Sequence, residues 1–213
     1  MTHDARQKAL QSILVLAPVV PVVIIDEVAH AVSMARALVA GGIPAIEVTL
    51  RTDAALDAIR AIAAEVEGAC VGAGTVLTPA QLDAAAHAGA RFAVSPGASP
   101  RLLDAADQRE LPLLPGAASA SEAMTLLERG YRLQKFFPAA AAGGPALLKA
   151  LSSPLPAIRF CPTGGITPQN AGEYLSLPNV ACVGGSWLTP RDLLRAGDWT
   201  AIEILAREAA ALR

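Results

Sequence analysis

Residues 45–76 read AIEVTLRTDAALDAIRAIAAEVEGACVGAGTV, a β-branched run, an Ala- and Leu-rich stretch of helical period, and a second short apolar run. The first run alternates with period two, the mark of a strand, and Thr52 stands where a helix cap is expected before DAALDAIRAIAAEV. Together they form one strand–helix–strand unit of the parallel kind. The same alternation extends in both directions. Eight strands are expected, at about Val19–Ile25, Ala45–Arg51, Cys70–Val76, Phe92–Pro96, Leu111–Pro115, Arg132–Pro138, Ile158–Thr163 and Val180–Ser186. Helix starts are expected after Asp26, Thr52, Thr78-Pro79 and Ser119, and helix ends at Gly41, Gly89 and Gly130. No composition break or Ser/Gly linker interrupts the series. The reading is α/β, one domain over 1–213, a (β/α)8 barrel, with an open doubly wound sheet as the alternative. Ahead of the first strand, Ala9, Leu10, Ile13 and Leu14 fall on one helical face, so an additional N-terminal helix is expected within 1–17, capping the bottom of the barrel.

A length of 213 residues buries enough apolar surface for a fold without staples. The composition is 53% hydrophobic and 4% aromatic, which suits small-residue helices over buried strands. A net charge of −2 without a basic block offers no footprint for nucleic acid or an anionic membrane. A small-molecule partner is expected. No apolar run reaches the ~18 residues of a membrane span, and no signal-peptide pattern opens the chain, so a cytoplasmic location is expected. Cys70, Cys161 and Cys182 each sit in an apolar run without metal or redox spacing and are read as reduced core residues. His30 and His87 fall on helices without ligand partners, so no metal is expected. VGAGTV (71–76) lacks the third glycine of a dinucleotide fingerprint.

Three lysines occur: Lys8, Lys135 and Lys149. Lys135 stands inside RLQKFFP, where alternation puts Leu133, Lys135 and Phe137 on one face. An ammonium confined to an inward face is costly, and desolvation favours the neutral amine that attacks ketones. In AIEVTLR, Glu47, Thr49 and Arg51 share a face while Ile46, Val48 and Leu50 fill the other. Arg51 can hold a carboxylate by a two-pronged hydrogen bond, and Glu47 can move protons. A buried Glu47–Arg51 or Glu47–Lys135 ion pair without chemistry is the competing reading. Such pairs add little stability, which leaves their burial unexplained. The last two strands end in CPTGGITPQN and VGGSWLTP. Gly164-Gly165 and Gly184-Gly185-Ser186 suit a phosphate held on backbone N–H groups, aided by a helix N-terminus.

These residues resemble a known family. PVVPVV, AIEVTLRT, VGAGTVLTP, FAVSPG, KFFPA, RFCPTGGI and GGSWL are similar to the strings of bacterial 2-keto-3-deoxy-6-phosphogluconate (KDPG) aldolases, across almost the whole chain. The resemblance implies a TIM barrel, a homotrimer, and a class I lyase without cofactor or metal. It implies cleavage of KDPG to pyruvate and glyceraldehyde 3-phosphate, and of 4-hydroxy-2-oxoglutarate (KHG) to pyruvate and glyoxylate. It makes Lys135 the Schiff-base lysine and Glu47 the acid/base. Arg51, Thr75, Pro96, Phe137 and Thr163 would surround the pyruvate half, and Gly164, Gly165, Gly185 and Ser186 the phosphate. Ala140 stands where the family usually carries an acidic residue. The alternatives are the sister aldolase for the galactonate epimer, a phosphosugar isomerase or synthase on the same barrel, and a non-catalytic phosphate-binding barrel.

Overall fold

Short apolar runs bounded by turn formers can satisfy their backbone only against neighbouring runs, and all those in this chain do so in parallel. The computed structural model describes residues 2–212. Its strands are β1 (Val19–Val23), β2 (Ala45–Thr49), β3 (Cys70–Gly74), β4 (Ala93–Val94), β5 (Leu113–Leu114), β6 (Gly116–Ala117), β7 (Leu133–Phe136), β8 (Arg159–Pro162) and β9 (Val183–Gly185). One curled sheet runs β5-β4-β3-β2-β1-β9 and a second β6-β7-β8. Single parallel bridges, Phe160 with Val180 and Thr163 with Gly184, connect the β8 and β9 stretches. Of the strand expected over Leu111–Pro115 only Leu113–Leu114 pairs, as β5 with β4; β6 lies just past its end and pairs with β7, and Pro115, which has no N–H to give a ladder, stands between them.

The helices are α1 (His3–Leu14), α2 (Ala31–Ala40), α3 (Ala55–Glu65), α4 (Pro79–His87), α5 (Pro100–Asp107), α6 (Ala120–Glu128), α7 (Gly144–Ser152), α8 (Ala171–Leu175), α9 (Arg191–Ala196) and α10 (Trp199–Ala210). Thr78 caps α4 in a reciprocal box with Gln81, and Ser119 caps α6 through the Glu122 N–H. Two expected caps are not caps. A 3-10 turn (Val28–His30) intervenes after Asp26, and α2 starts only at Ala31. Thr52 lies ahead of α3 and instead donates its hydroxyl to the Ile25 carbonyl, tying the end of β2 to the chain leaving β1.

Alternation along the strands makes two cores. Ile46 and Val48 belong to the larger one, with Met34 and Leu38 of α2 and Ile59 and Ile62 of α3. The smaller gathers Ala45, Cys70, Phe92, Leu133, Cys161 and Cys182 from the strand side with Leu10, Ile13 and Leu14 of α1. Ala45, Cys70 and Leu133 each open their strand, so α1 packs across the N-terminal ends. The three cysteines are free and buried, and burial pushes the Cys70 thiol up against the opposing effect of Arg91.

Candidate active site

The alternation in β7 sorts its side chains. Gln134 faces outward, its Nε2 donating to the carbonyls of Ala123 and Tyr131 at 3.0 and 2.9 Å, while Phe136 packs edge-on to Phe160. Leu133 and Lys135 face inward, and so do Ala45 and Glu47 on β2. Lys135 Nζ lies 3.4 Å from Glu47 Oε1, and each side chain is 4% exposed. Nζ also stands 5.3 Å from the centroid of the Phe137 ring, within cation–π range. Lys8 and Lys149 are both exposed.

Strand β2 ends at Thr49, whose hydroxyl donates to the Val23 carbonyl at 2.9 Å. The chain then turns sharply, the Arg51 N–H donating back to the Thr49 carbonyl at 2.8 Å. Arg51 therefore does not continue the Glu47 face as a strand residue: a turn aims it. Its Nε donates to Thr75 Oγ1 at 3.0 Å. Thr75 is the one non-glycine among the described residues with positive φ, at 57°. A β-branched residue there is strained by about 1–3 kcal/mol.

A cleft of about 550 Å³, open to solvent, brings Arg51, Phe137, Thr163, Gly164, Gly165 and Ser186 together. Val22, Ile24, Ile166 and Gly184 complete its walls. Gly164 and Gly165 take φ of 99° and 73°, a left-handed turn that few side chains tolerate. Their carbonyls are engaged, by the Ala140 N–H at 3.0 Å and by Asn170 Nδ2 at 3.0 Å. A Cβ at Gly184 would strike the Thr163 hydroxyl. Of the expected residues, Lys135, Glu47, Thr75, Pro96 and Gly185 lie outside the lining. Pro96 and Thr75 are half-buried, and Gly185 is buried against the Trp187 ring. The helices after the two glycine steps are short and α8 begins only at Ala171, so the turn, rather than a long helix, shapes this end of the cleft.

Sequence reasoning missed Val22, Ile24 and Ile166, whereas Gly184 belonged to the glycine step already read as a phosphate holder. Alternation through Val20, Val22 and Ile24 held the signal for two of them, had the inward face of the first strand been fixed. A wider groove of about 960 Å³ runs beside α1 past Ile13, Arg91 and Glu110, and no amine in it adjoins a buried carboxylate. His30 leans on Trp199 and His87 bonds the Asp83 carbonyl. Among the described residues no group of three His, Cys, Asp or Glu is arranged to hold a metal.

The family model for KDPG and KHG aldolase matches residues 10–205. The chain belongs to the KDPG/KHG aldolase family. The KHG/KDPG aldolase of Escherichia coli K12 is 55% identical over 199 residues, 93% of each chain. The KDPG aldolase of Legionella pneumophila, solved with pyruvate captured at low pH as a covalent carbinolamine, is 48% identical with a TM-score of 0.92. That match covers 94% of this chain and 98% of that one. The Zymomonas mobilis ZM4 aldolase, solved with 3-phosphoglycerate, is also 48% identical, with a TM-score of 0.91 and 97% of each chain covered. Across these family members the similarity spans nearly the whole length, so β2, β3, β7 and the two glycine-rich steps all fall inside the matched region.

Proposed function

We propose that this family member is a class I aldolase in which Lys135 forms the Schiff base and Glu47 carries protons. It cleaves KDPG to pyruvate and glyceraldehyde 3-phosphate, and KHG to pyruvate and glyoxylate. The observation that carries the reading is a buried amine 3.4 Å from a buried carboxylate, next to a cleft with a free guanidinium edge on one side and a glycine turn on the other. Glu47 takes a proton from the amine, and neutral Nζ adds to the C2 ketone to give a carbinolamine. Glu47 returns that proton as the C2 hydroxyl leaves as water, forming the iminium. The C3–C4 bond then breaks, its electron pair entering the iminium as an enamine, while the C4 hydroxyl gives its proton to Glu47 and becomes the aldehyde. Protonation at C3 and hydrolysis release pyruvate and restore the amine. The carbinolamine of the Legionella relative is the first species of this sequence.

Arg51, held through Nε by Thr75, keeps its two terminal nitrogens for the substrate carboxylate. Pro96, Phe137 and Thr163 enclose the pyruvate methyl side. Gly164 and Gly165, with their carbonyls occupied, offer N–H groups to the phosphate, joined by Gly185 and the exposed Ser186 hydroxyl. A closed (β/α)8 barrel is the reading that two features support: only Pro115 separates β5 from β6, and the single bridges, Phe160 with Val180 and Thr163 with Gly184, join the β8 and β9 stretches. α1 caps its lower end in a single domain over 1–213. From the family resemblance the enzyme works as a homotrimer in the cytoplasm. No described helix is long and apolar enough to cross a membrane. An isomerase needs no isolated lysine on an inward face, and a binding barrel needs no cluster of Glu47, Arg51 and Lys135.

Borohydride reduction with pyruvate, followed by peptide mass analysis, tests the reading. One reduced pyruvate per chain is expected on Lys135 and none in Lys135→Met. Glu47→Gln keeps the shape but cannot exchange protons, so it should trap pyruvate slowly and lose roughly 10²–10⁴-fold in kcat. Label on Lys8 or Lys149 would overturn the nucleophile, and near-normal turnover in folded Glu47→Gln would remove Glu47 from the chemistry.

A further inference from the structure

Gly74 ends β3 beside Thr49 of β2, two register steps beyond the pair in which Glu47 faces Gly72. Its φ is outside the left-handed range that holds other glycines of the chain, so the backbone there suits any residue. Space explains the glycine instead. A Cβ at Gly74 would run into Oε1, Cγ and Cδ of Glu47, three atoms of one buried side chain. Glu47 therefore leans from its own strand over the bare backbone of the next, toward the C-terminal end of the sheet. The Oε1 that occupies the space above Gly74 is the oxygen that stands 3.4 Å from Lys135 Nζ.

We infer that Gly74 is a positioning residue: the missing side chain is the seat of the Glu47 carboxylate, and it holds Oε1 against the lysine amine. A methyl group at this position displaces the whole carboxyl end, and the surrounding strands are too tightly packed for a carboxylate to find an equivalent seat. Displacement by about 1 Å of a group that must exchange protons with Nζ and with substrate is enough to cost on the order of 10²-fold in rate. This inference rests on Glu47 as the proton carrier, yet the two fail separately. Normal turnover in Glu47→Gln ends the carrier role, while competition of Gly74 and Glu47 for one space is read from stability alone.

The experiment is a double-substitution cycle with Gly74→Ala and Glu47→Ala, followed by steady-state kinetics and thermal denaturation. In the parent background Gly74→Ala should lower kcat about 10²-fold with KM for the phosphorylated substrate within about threefold. It should also lower Tm. In the Glu47→Ala background the same substitution should leave residual turnover unchanged and Tm unchanged or raised, because the added methyl then occupies vacated space. If Gly74→Ala alone fails to fold and the double variant folds, the shared space is supported by that contrast. The proposal is overturned if Gly74→Ala keeps kcat within about threefold of the parent. It is equally overturned if the losses multiply in the double variant, or if neither variant folds, because the glycine then serves the strand and not the carboxylate.

Discussion

Thr75 spends stability at one residue to hold another. Its φ of 57° is unfavourable for a β-branched side chain, and its hydroxyl is the acceptor that fixes Arg51 Nε. Glycine at this position would relieve about 1–3 kcal/mol of strain and give back about 0.4–1 kcal/mol through a freer unfolded chain. It would also release Arg51. Thr75→Gly should therefore keep or raise Tm while kcat/KM for keto-acid substrates falls about tenfold, the worth of a hydrogen bond near 1.4 kcal/mol. A lower Tm with unchanged kcat/KM would mean that the threonine serves only the turn. Lys135 and Glu47 were legible at this scale because a charged residue inside an apolar alternating run has few structural uses. The strain at Thr75 was not legible, since nothing in VGAGTV announces which residue must adopt positive φ.

At the scale of elements, α1 is fastened to the strand that carries the lysine. Gln7 is buried, and its Oε1 accepts the N–H groups of Arg132 at 3.0 Å and Leu133 at 3.2 Å, where β7 begins. Removing the amide leaves a buried donor at Leu133, which costs about 1–3 kcal/mol. For a chain of this size each kcal/mol moves Tm by roughly 2–4 °C. Gln7→Ala should accordingly lower Tm by several degrees and leave pyruvate trapping on Lys135 intact, and Gln7→Glu, which keeps the acceptor, should lose less. Equal losses in the two variants would show that the carbonyl oxygen is not what matters. The sequence showed an amphipathic face at Leu10, Ile13 and Leu14, yet not the role of Gln7, because its partners lie far along the chain. The same limit applies to caps: Thr78 and Ser119 act within one turn and were readable, whereas Thr52 is drawn to a carbonyl on the segment leaving β1.

In the whole molecule a polar clasp joins α1, α5, α6 and the approach to β7. Asp107 accepts from the Tyr131 hydroxyl at 2.8 Å and from Arg129 Nη2 at 2.9 Å, while Arg6 Nη2 donates to its carbonyl at 3.1 Å. Burial first, and then the bond to Asp107, push the Tyr131 phenol above its ordinary range. A pKa raised in the folded state contributes stability that is complete below the unfolded value, near 10, and fades as pH rises beyond it, because the unfolded chain ionises first. Tyr131→Phe should lower Tm at neutral pH, by the loss of a bond to a charged group worth roughly 1.5–3 kcal/mol. The gap between parent and variant in thermal denaturation should then narrow above about pH 10. A gap that stays constant or widens there would mean that Tyr131 ionises as readily folded as unfolded.

The sequence by itself determined the alternation of strands and helices, the α/β class, and the single lysine set on an inward face. These follow from periodicity and from the cost of burying charge, which are local properties of the chain. The family strings, which span almost all of it, named the chemistry. Only the tertiary structure decided that Lys135 and Glu47, 88 positions apart, meet through one carboxylate oxygen. Only it decided that Arg51 turns off its strand to Thr75, and that Gly184 lines the cleft while Gly185 faces Trp187. Those outcomes depend on which strand lies beside which and at what register, and a one-residue slip would turn every side chain to the other face.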